Sequence, residues 1–153
     1  MNIIVEFDQV LKACEDQSAL DFKGIRTRDA ATADAVYDDW VFNEENILDV
    51  DSMMEEYAAD MKHALRSIVG KYTVKDYGVK MLEIEMLPMR DDIDLQNLPK
   101  LVRLYFVSKI LTWWYVYRDS DIAALYEKKT TSALERILSE CTPVVGSSHP
   151  RYF

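Results

Sequence analysis

The stretch LPKLVRLYFVSKILTWWYVY, residues 98–117, constrains this chain most, because as a helix it is apolar on nearly every side. A helix without a polar face has to be enclosed by other elements. Pro99 falls in its first turn, where a missing N–H is tolerated, so Asn97 is expected to open the helix. Tyr117 is expected to end it. Arg103 and Lys109 interrupt the stretch, and each charge at a bilayer centre costs roughly 2.5–3.5 kcal/mol. Its largely apolar part, Leu101–Tyr117, is also at the short end for a crossing, so the reading is a buried helix rather than a membrane span. The break Arg118-Asp119-Ser120-Asp121 follows, with Asp119 or Ser120 as the cap of a last helix ending near Glu140. Two helices joined this tightly are expected to pack as an antiparallel hairpin.

The rest of the chain must supply the enclosure. At 153 residues it suits one domain with a real core, and four Gly and four Pro favour long regular elements. Residues 2–7, NIIVEF, alternate loosely as a short strand would; alternatively, Asp8 caps a short helix with Val10, Leu11 and Cys14 on one face. Residues 17–43 lack a clean period and read as a loop-rich arm, anchored by Trp40 and Phe42. From Asn43 the apolar residues recur at helical steps through Ile47, Met54, Tyr57, Met61, Leu65 and Ile68. This predicts one helix from about Glu44 to Val69, or a later start at Ser52, with Gly70 as the stop. Leu82, Ile84 and Met86 then alternate with Glu83 and Glu85, as in a half-buried strand ended by Pro88. Tyr72–Lys75 is its expected partner across Asp76-Tyr77-Gly78.

The expected fold is therefore mainly α: a long helix and a C-terminal helical hairpin, with a small β strand or hairpin insertion and extended terminal arms. Its division is an N-terminal arm over 1–43, a helical body over 44–141 with the β insertion at 72–87, and a C-terminal arm over 142–153. Leu65, Ile68, Leu82, Ile84, Ile110, Trp113, Leu125, Tyr126 and Ile137 are the expected core.

Motifs for chemistry are sparse. Asp49-Val-Asp51 starts like a calcium loop, but Met53 and Met54 stand where a ligand and the obligatory Gly belong. Glu44, Glu45, Glu55 and Glu56 read as a solvated helix face beside a positive N-terminus. His63 and His149 have no partner at zinc spacing, and Ser147-Ser148-His149 lies in no nucleophile elbow. Cys14 and Cys141 stand far apart without a Cys-x-x-Cys pair, which suits a reducing compartment, and structural burial is the reading for both. MNIIVEFDQV carries early acidic residues and no basic region, unlike a secretory signal. No catalytic residue, cofactor or metal is expected, and the chain does not read as an enzyme.

Charge and aromatics carry the remaining information. Residues 1–60 hold sixteen acidic and four basic side chains, a net of −12, whereas residues 61–153 hold eleven and fourteen, a net of +3. The first part would repel nucleic-acid phosphates, and the second is too weakly basic to mark a site for them. Tyr105, Phe106, Trp113, Trp114, Tyr115, Tyr117 and Tyr126 cannot all face one side, so some must reach the surface. Core alone and core plus a subunit interface both remain open, since Trp and Tyr serve either.

LPKLVRLYFVSKILTWWYVYRDSDIAALYEKKTTSALERIL resembles the C-terminal helical hairpin of tailed-phage head–tail connector proteins, the adaptor or head-completion class. The likeness lies in a Tyr/Trp-rich helix, a short polar break and an ALYE…AL helix. The opening Tyr37…Trp40-Val41-Phe42-Asn43-Glu44-Glu45-Asn46, the strand ending in Leu87-Pro88 and the late His149-Pro150-Arg151 extend it over roughly residues 37–151. The strand at 79–87 departs from the simplest all-helical connectors. The resemblance implies a virion protein of the neck, assembled in the host cytoplasm. It would form a homo-oligomeric ring, commonly twelve-fold, between the portal protein and the tail or neck proteins. Trp114, Tyr117, Arg151, Tyr152 and Phe153 are the expected interface residues. Genomic DNA would pass without specific binding, repelled by a negative lumen. The alternative is an acidic nucleic-acid mimic that inhibits a basic host protein.

Overall fold

The computed structural model describes residues 1–28 and 40–143. In chain order the elements are β1 (Asn2–Glu6), α1 (Phe7–Arg28), a 3-10 turn (Glu44–Asn46), α2 (Val50–Ala64), β2 (Val69–Asp76), β3 (Lys80–Met86), α3 (Asn97–Tyr115) and α4 (Ser120–Cys141). The protein is mostly helical with one small antiparallel sheet, ordered β1-β3-β2.

Strand β3 is central, as its alternation requires. Leu82, Ile84 and Met86 point into the core, and Ile3 and Val5 of β1 lie opposite Ile84 and Leu82. On its other side Tyr72 and Val74 of β2 meet the same two residues. The β2–β3 connection turns at Gly78, whose φ of 87° is the left-handed conformation that disfavours a Cβ. Asp76 Oδ1 accepts the Gly78 N–H at 3.0 Å and closes the turn.

The N-terminal segment 1–28 departs from the expected loop-rich arm. The strand and the Asp8-led helix, posed as alternatives, occur in succession. The helix then continues to Arg28, burying Phe7, Val10, Leu11, Cys14, Ser18 and Phe22 at steps of one, three and four. Ser18 hides this stripe from a hydropathy reading. It is fully buried, and its Oγ accepts the Phe42 N–H at 2.7 Å. A hydroxyl thus fills a core position because a backbone donor needs a partner there.

The expected helix from Glu44 to Val69 is two pieces. Asn43 caps only the 3-10 turn, and Asp49 caps α2 by accepting the Ser52 N–H at 3.1 Å. Gly70 is not the helix stop: α2 ends at Ala64, and Leu65, Ile68 and Val69 are buried as the chain turns into β2.

Helix α3 begins at Asn97 as expected, but Asp94 Oδ1 supplies the cap, accepting the Gln96 and Asn97 N–H groups at 2.9 and 3.1 Å. Ten of its residues, from Leu98 to Tyr115, are buried around its circumference. The sheet, α1 and α2 enclose one side and α4 covers another. Helix α4 buries one stripe, Ala123, Tyr126, Thr130, Ala133, Ile137 and Cys141. Asn97 Nδ2 donates to Glu140 Oε1 at 3.1 Å, so the first turn of α3 lies against the last turn of α4. No helix among the described residues is long and apolar enough to cross a membrane.

Candidate functional site

The aromatic end of α3 is where core and surface separate. Successive helical residues point about 100° apart, so Trp113, Trp114 and Tyr115 leave the helix in three directions.

Trp114 goes inward and is 1% exposed. Its Nε1–H donates to the Trp40 carbonyl at 2.8 Å, and its ring meets Phe42 edge-on with centroids 5.3 Å apart. The Arg118 guanidinium lies 3.5 Å above the Trp114 ring, and its Nη1 donates to the Trp114 carbonyl at 2.7 Å. Tyr115 is also buried and stacks on Tyr126 of α4, with centroids 5.8 Å apart and planes 4° from parallel. Both phenols donate to Asp21 Oδ2 of α1, Tyr115 at 3.1 Å and Tyr126 at 2.6 Å. Burial pushes both phenols well above the usual tyrosine range, and the Asp21 carboxylate adds to the shift. Asp119 fixes the start of α4 by accepting the Asp121 and Ile122 N–H groups at 3.0 and 3.1 Å.

Trp113, Val116 and Tyr117 face outward. Trp113 is 42% exposed and Tyr117 96% exposed. At steps of three and four they share one face, a solvent-facing apolar patch on a base tied to α1, α4 and the 40–42 segment. Of the expected core, Leu65, Ile68, Leu82, Ile84, Ile110, Tyr126 and Ile137 are buried. Trp113 and Leu125 are corrections, since both are exposed. Trp114 is the reverse correction: Phe42 and Trp40 enclose it, so it is core and not interface. Tyr117 is exposed as an interface residue must be. Arg151, Tyr152 and Phe153 lie outside the described residues, as do Ser147, Ser148 and His149.

A second feature is a pair of adjoining clefts between α1 and the residues after Trp40. The larger, about 730 Å³, is lined by Asp8, Leu11, Lys12, Glu15, Val41, Phe42, Asn43 and Glu44. The smaller, about 380 Å³, shares Asp8, Leu11 and Glu44 and continues along Val50, Asp51, Asp76 and Lys80. Both lysines at the rim have carboxylate partners. Lys12 pairs with Asp16 at 3.1 Å and Lys80 with Asp51 at 3.0 Å.

The remaining reactive types are placed as structure. Cys14 and Cys141 are buried free thiols, and burial pushes the Cys14 thiol far above its usual range, so it stays protonated. Glu44, Glu45, Glu55, Glu56 and His63 are exposed. Among the described residues no three His, Cys, Asp or Glu side chains come close enough to hold a metal ion. Asp21 and Ser18 were missed by sequence reasoning because they lie in the segment read as loop, and their partners stand far along the chain. The one local signal was the four-residue step from Ser18 to Phe22.

No family model, no curated protein and no solved structure matches this chain.

Proposed function

We propose that this protein is a structural subunit of a tailed-phage virion, forming a ring between portal and tail through which genomic DNA passes. The observation that carries the proposal is the exposed patch of Trp113, Val116 and Tyr117 on a braced base. A monomer gains nothing by holding two large aromatics in water, whereas such residues anchor subunit interfaces. On this reading α3 and α4 are the antiparallel hairpin of a connector, and the patch at their junction meets a neighbouring subunit. Ring closure requires a heterologous contact, so the patch is matched by a different surface of the next copy. Arg151, Tyr152 and Phe153 are assigned to subunit contact on their chemistry alone. The role is non-enzymatic, and the site of action is the virion neck.

The experiment is to measure the mass of the purified chain by analytical ultracentrifugation and to locate it in isolated particles by immunogold labelling. A closed multimer and a label at the neck are expected. A chain that is monomeric and absent from particles overturns the proposal. The rival reading, an acidic mimic that captures a basic host protein, draws on the carboxylate-rimmed clefts. Tight, salt-sensitive binding of a monomeric chain to a basic protein would favour it.

A further inference from the structure

We infer that the cleft between α1 and residues 41–44 of one copy receives the basic outer stripe of α4 from the next copy. The inference rests on the ring reading above and names the surfaces that would close it. Three observations meet here.

The first is the shape and lining of the cleft. Its wall is apolar, formed by Leu11, Val41 and Phe42, and its rim carries Asp8, Glu15 and Glu44. Glu15 and Glu44 are exposed and form no ion pair with any described residue. The one rim cation, Lys12, is held by Asp16 at 3.1 Å. Among the described residues the cleft therefore offers a net negative rim over an apolar wall, with Glu15 and Asp16 sharing Lys12.

The second is the outer face of α4. Leu125, Lys129, Ser132 and Arg136 recur at three- and four-residue steps, with Lys128 beside them, and all five are exposed. Lys128 and Arg136 form no ion pair with any described residue, and Lys129 rests on the Tyr126 ring, 4.8 Å from its centroid. Asp121 lies one turn before Leu125 on the same face, Glu135 flanks the stripe and Glu127 lies across the helix. The stripe thus offers an apolar residue and three cations, the chemical complement of the cleft.

The third is that these surfaces lie on different elements of one chain, in the halves that carry −12 and +3. Among the described residues, no hydrogen bond or ion pair joins these two surfaces within one copy. Two identical clefts would repel each other, as would two identical stripes, so symmetric pairing of either surface with itself is disfavoured. Cleft to stripe is the attractive arrangement. Made once between each pair of neighbours, it is heterologous and repeats from copy to copy, as a ring requires. The occupant of the cleft is therefore a second copy of this chain.

The test uses the full chain and two charge reversals. The cleft variant is Glu15→Lys with Glu44→Lys, and the stripe variant is Lys128→Glu with Arg136→Glu. All four positions are exposed, and thermal melts monitored by circular dichroism establish that each variant folds. In sedimentation at low salt, each variant alone should self-associate about tenfold more weakly than wild type, or less tightly still. An equimolar mixture should recover the wild-type mass, because each reversed cleft then faces a reversed stripe, and each native cleft a native stripe. Unchanged association of the separate variants overturns the inference while leaving the ring reading standing. Variants that dissociate singly but do not recover in the mixture also overturn it. A wild-type chain that is monomeric at every concentration overturns both, and loss of lysine-peptide binding by the cleft variant would then assign the cleft to a foreign basic partner.

Discussion

Tyr126 donates its phenolic hydrogen to Asp21 Oδ2 at 2.6 Å, joining α4 to α1 across 105 positions of sequence. Tyr115 donates to the same oxygen at 3.1 Å, so one carboxylate ties three helices together. Bonds to a charged acceptor are worth about 1.5–3 kcal/mol. Asp21 is half-buried, so water can partly replace a lost donor. Tyr126→Phe keeps the ring stack and removes only the hydroxyl; it should cost about 1.5 kcal/mol in urea unfolding. Tyr115→Phe should cost less, because its bond is longer. The double variant should cost more than the two separate losses together, since either phenol alone still serves the carboxylate. Strict additivity would refute the shared-acceptor account.

The same burial makes the protein sensitive to alkali. Tyr57 is pushed up to about 12, and Tyr105, Tyr115 and Tyr126 are pushed beyond it, all chiefly by burial. In the unfolded chain a tyrosine ionises near pH 10, so above that pH the unfolded state sheds protons that the folded state keeps. The stability is complete below about pH 10 and falls as pH rises toward the folded values. With four such phenols the fall should approach about 5 kcal/mol per pH unit. Phenolate absorbance, titrated stepwise, should show these four of the nine tyrosines ionising only as the helical signal collapses. Smooth titration of all nine with the fold intact would contradict the burial argument.

Ser108 is buried in the middle of α3, and its Oγ has no hydrogen-bond partner among the described residues. A hydroxyl stripped of water without a partner costs about 1–3 kcal/mol. Ser108→Ala removes that cost, raises helix propensity and leaves little void. The melting temperature should stay level or rise, by an amount equivalent to about 1 kcal/mol. A clear fall would mean that the hydroxyl has a partner.

How much of this architecture was legible follows from where local pattern suffices. Strand β3 was readable because Leu82, Ile84 and Met86 alternate with charges, which only one face can bury. The α3–α4 break was readable from its polar run Arg118-Asp119-Ser120-Asp121, since Asp119 caps a helix that starts beside it. Helix α1 beyond Gln17 was not readable, because Ser18 stands in its apolar stripe, donating to the Glu15 carbonyl and accepting a backbone N–H from far along the chain. The phase of α3 was unreadable for a related reason. A helix apolar all round has no preferred face, so nothing local distinguishes Trp113 from Trp114. Phe42 and the Trp40 carbonyl decide it, and they lie in a segment without period.

The two described glycines of the sheet should respond differently to alanine. At Gly78 nothing would crowd a new Cβ, but the φ of 87° is itself unfavourable for an L side chain. Gly78→Ala should cost about 1–2 kcal/mol. Gly70 lies in the irregular stretch of β2 between Val69 and Tyr72 without a left-handed φ, and a Cβ there would meet the Glu85 carboxyl group. That group ends a flexible side chain and can swing aside, so Gly70→Ala should cost less. The order of the two melting temperatures checks this, and a reversal would show that Glu85 is fixed in place.

The adjacent tryptophans give the sharpest division between folding and assembly. Trp114 is enclosed by Phe42, Trp40 and Arg118, so Trp114→Ala opens a cavity and leaves the Trp40 carbonyl without its donor. The cost should be about 3–5 kcal/mol, seen as a large fall in the urea midpoint. Trp113, at 42% exposure, should cost only about 1 kcal/mol when replaced by Ala, because much of its ring already faces water and no enclosed cavity is left. If its face with Tyr117 meets a neighbouring subunit, Trp113→Ala with Tyr117→Ala should keep the monomer's stability and weaken self-association at least about tenfold. Sedimentation and chemical unfolding on the same samples separate the two effects. Equal stability losses at positions 113 and 114 would reject the assignment of inside and outside. An unchanged sedimenting mass for the double variant would remove the aromatic patch from the subunit interface.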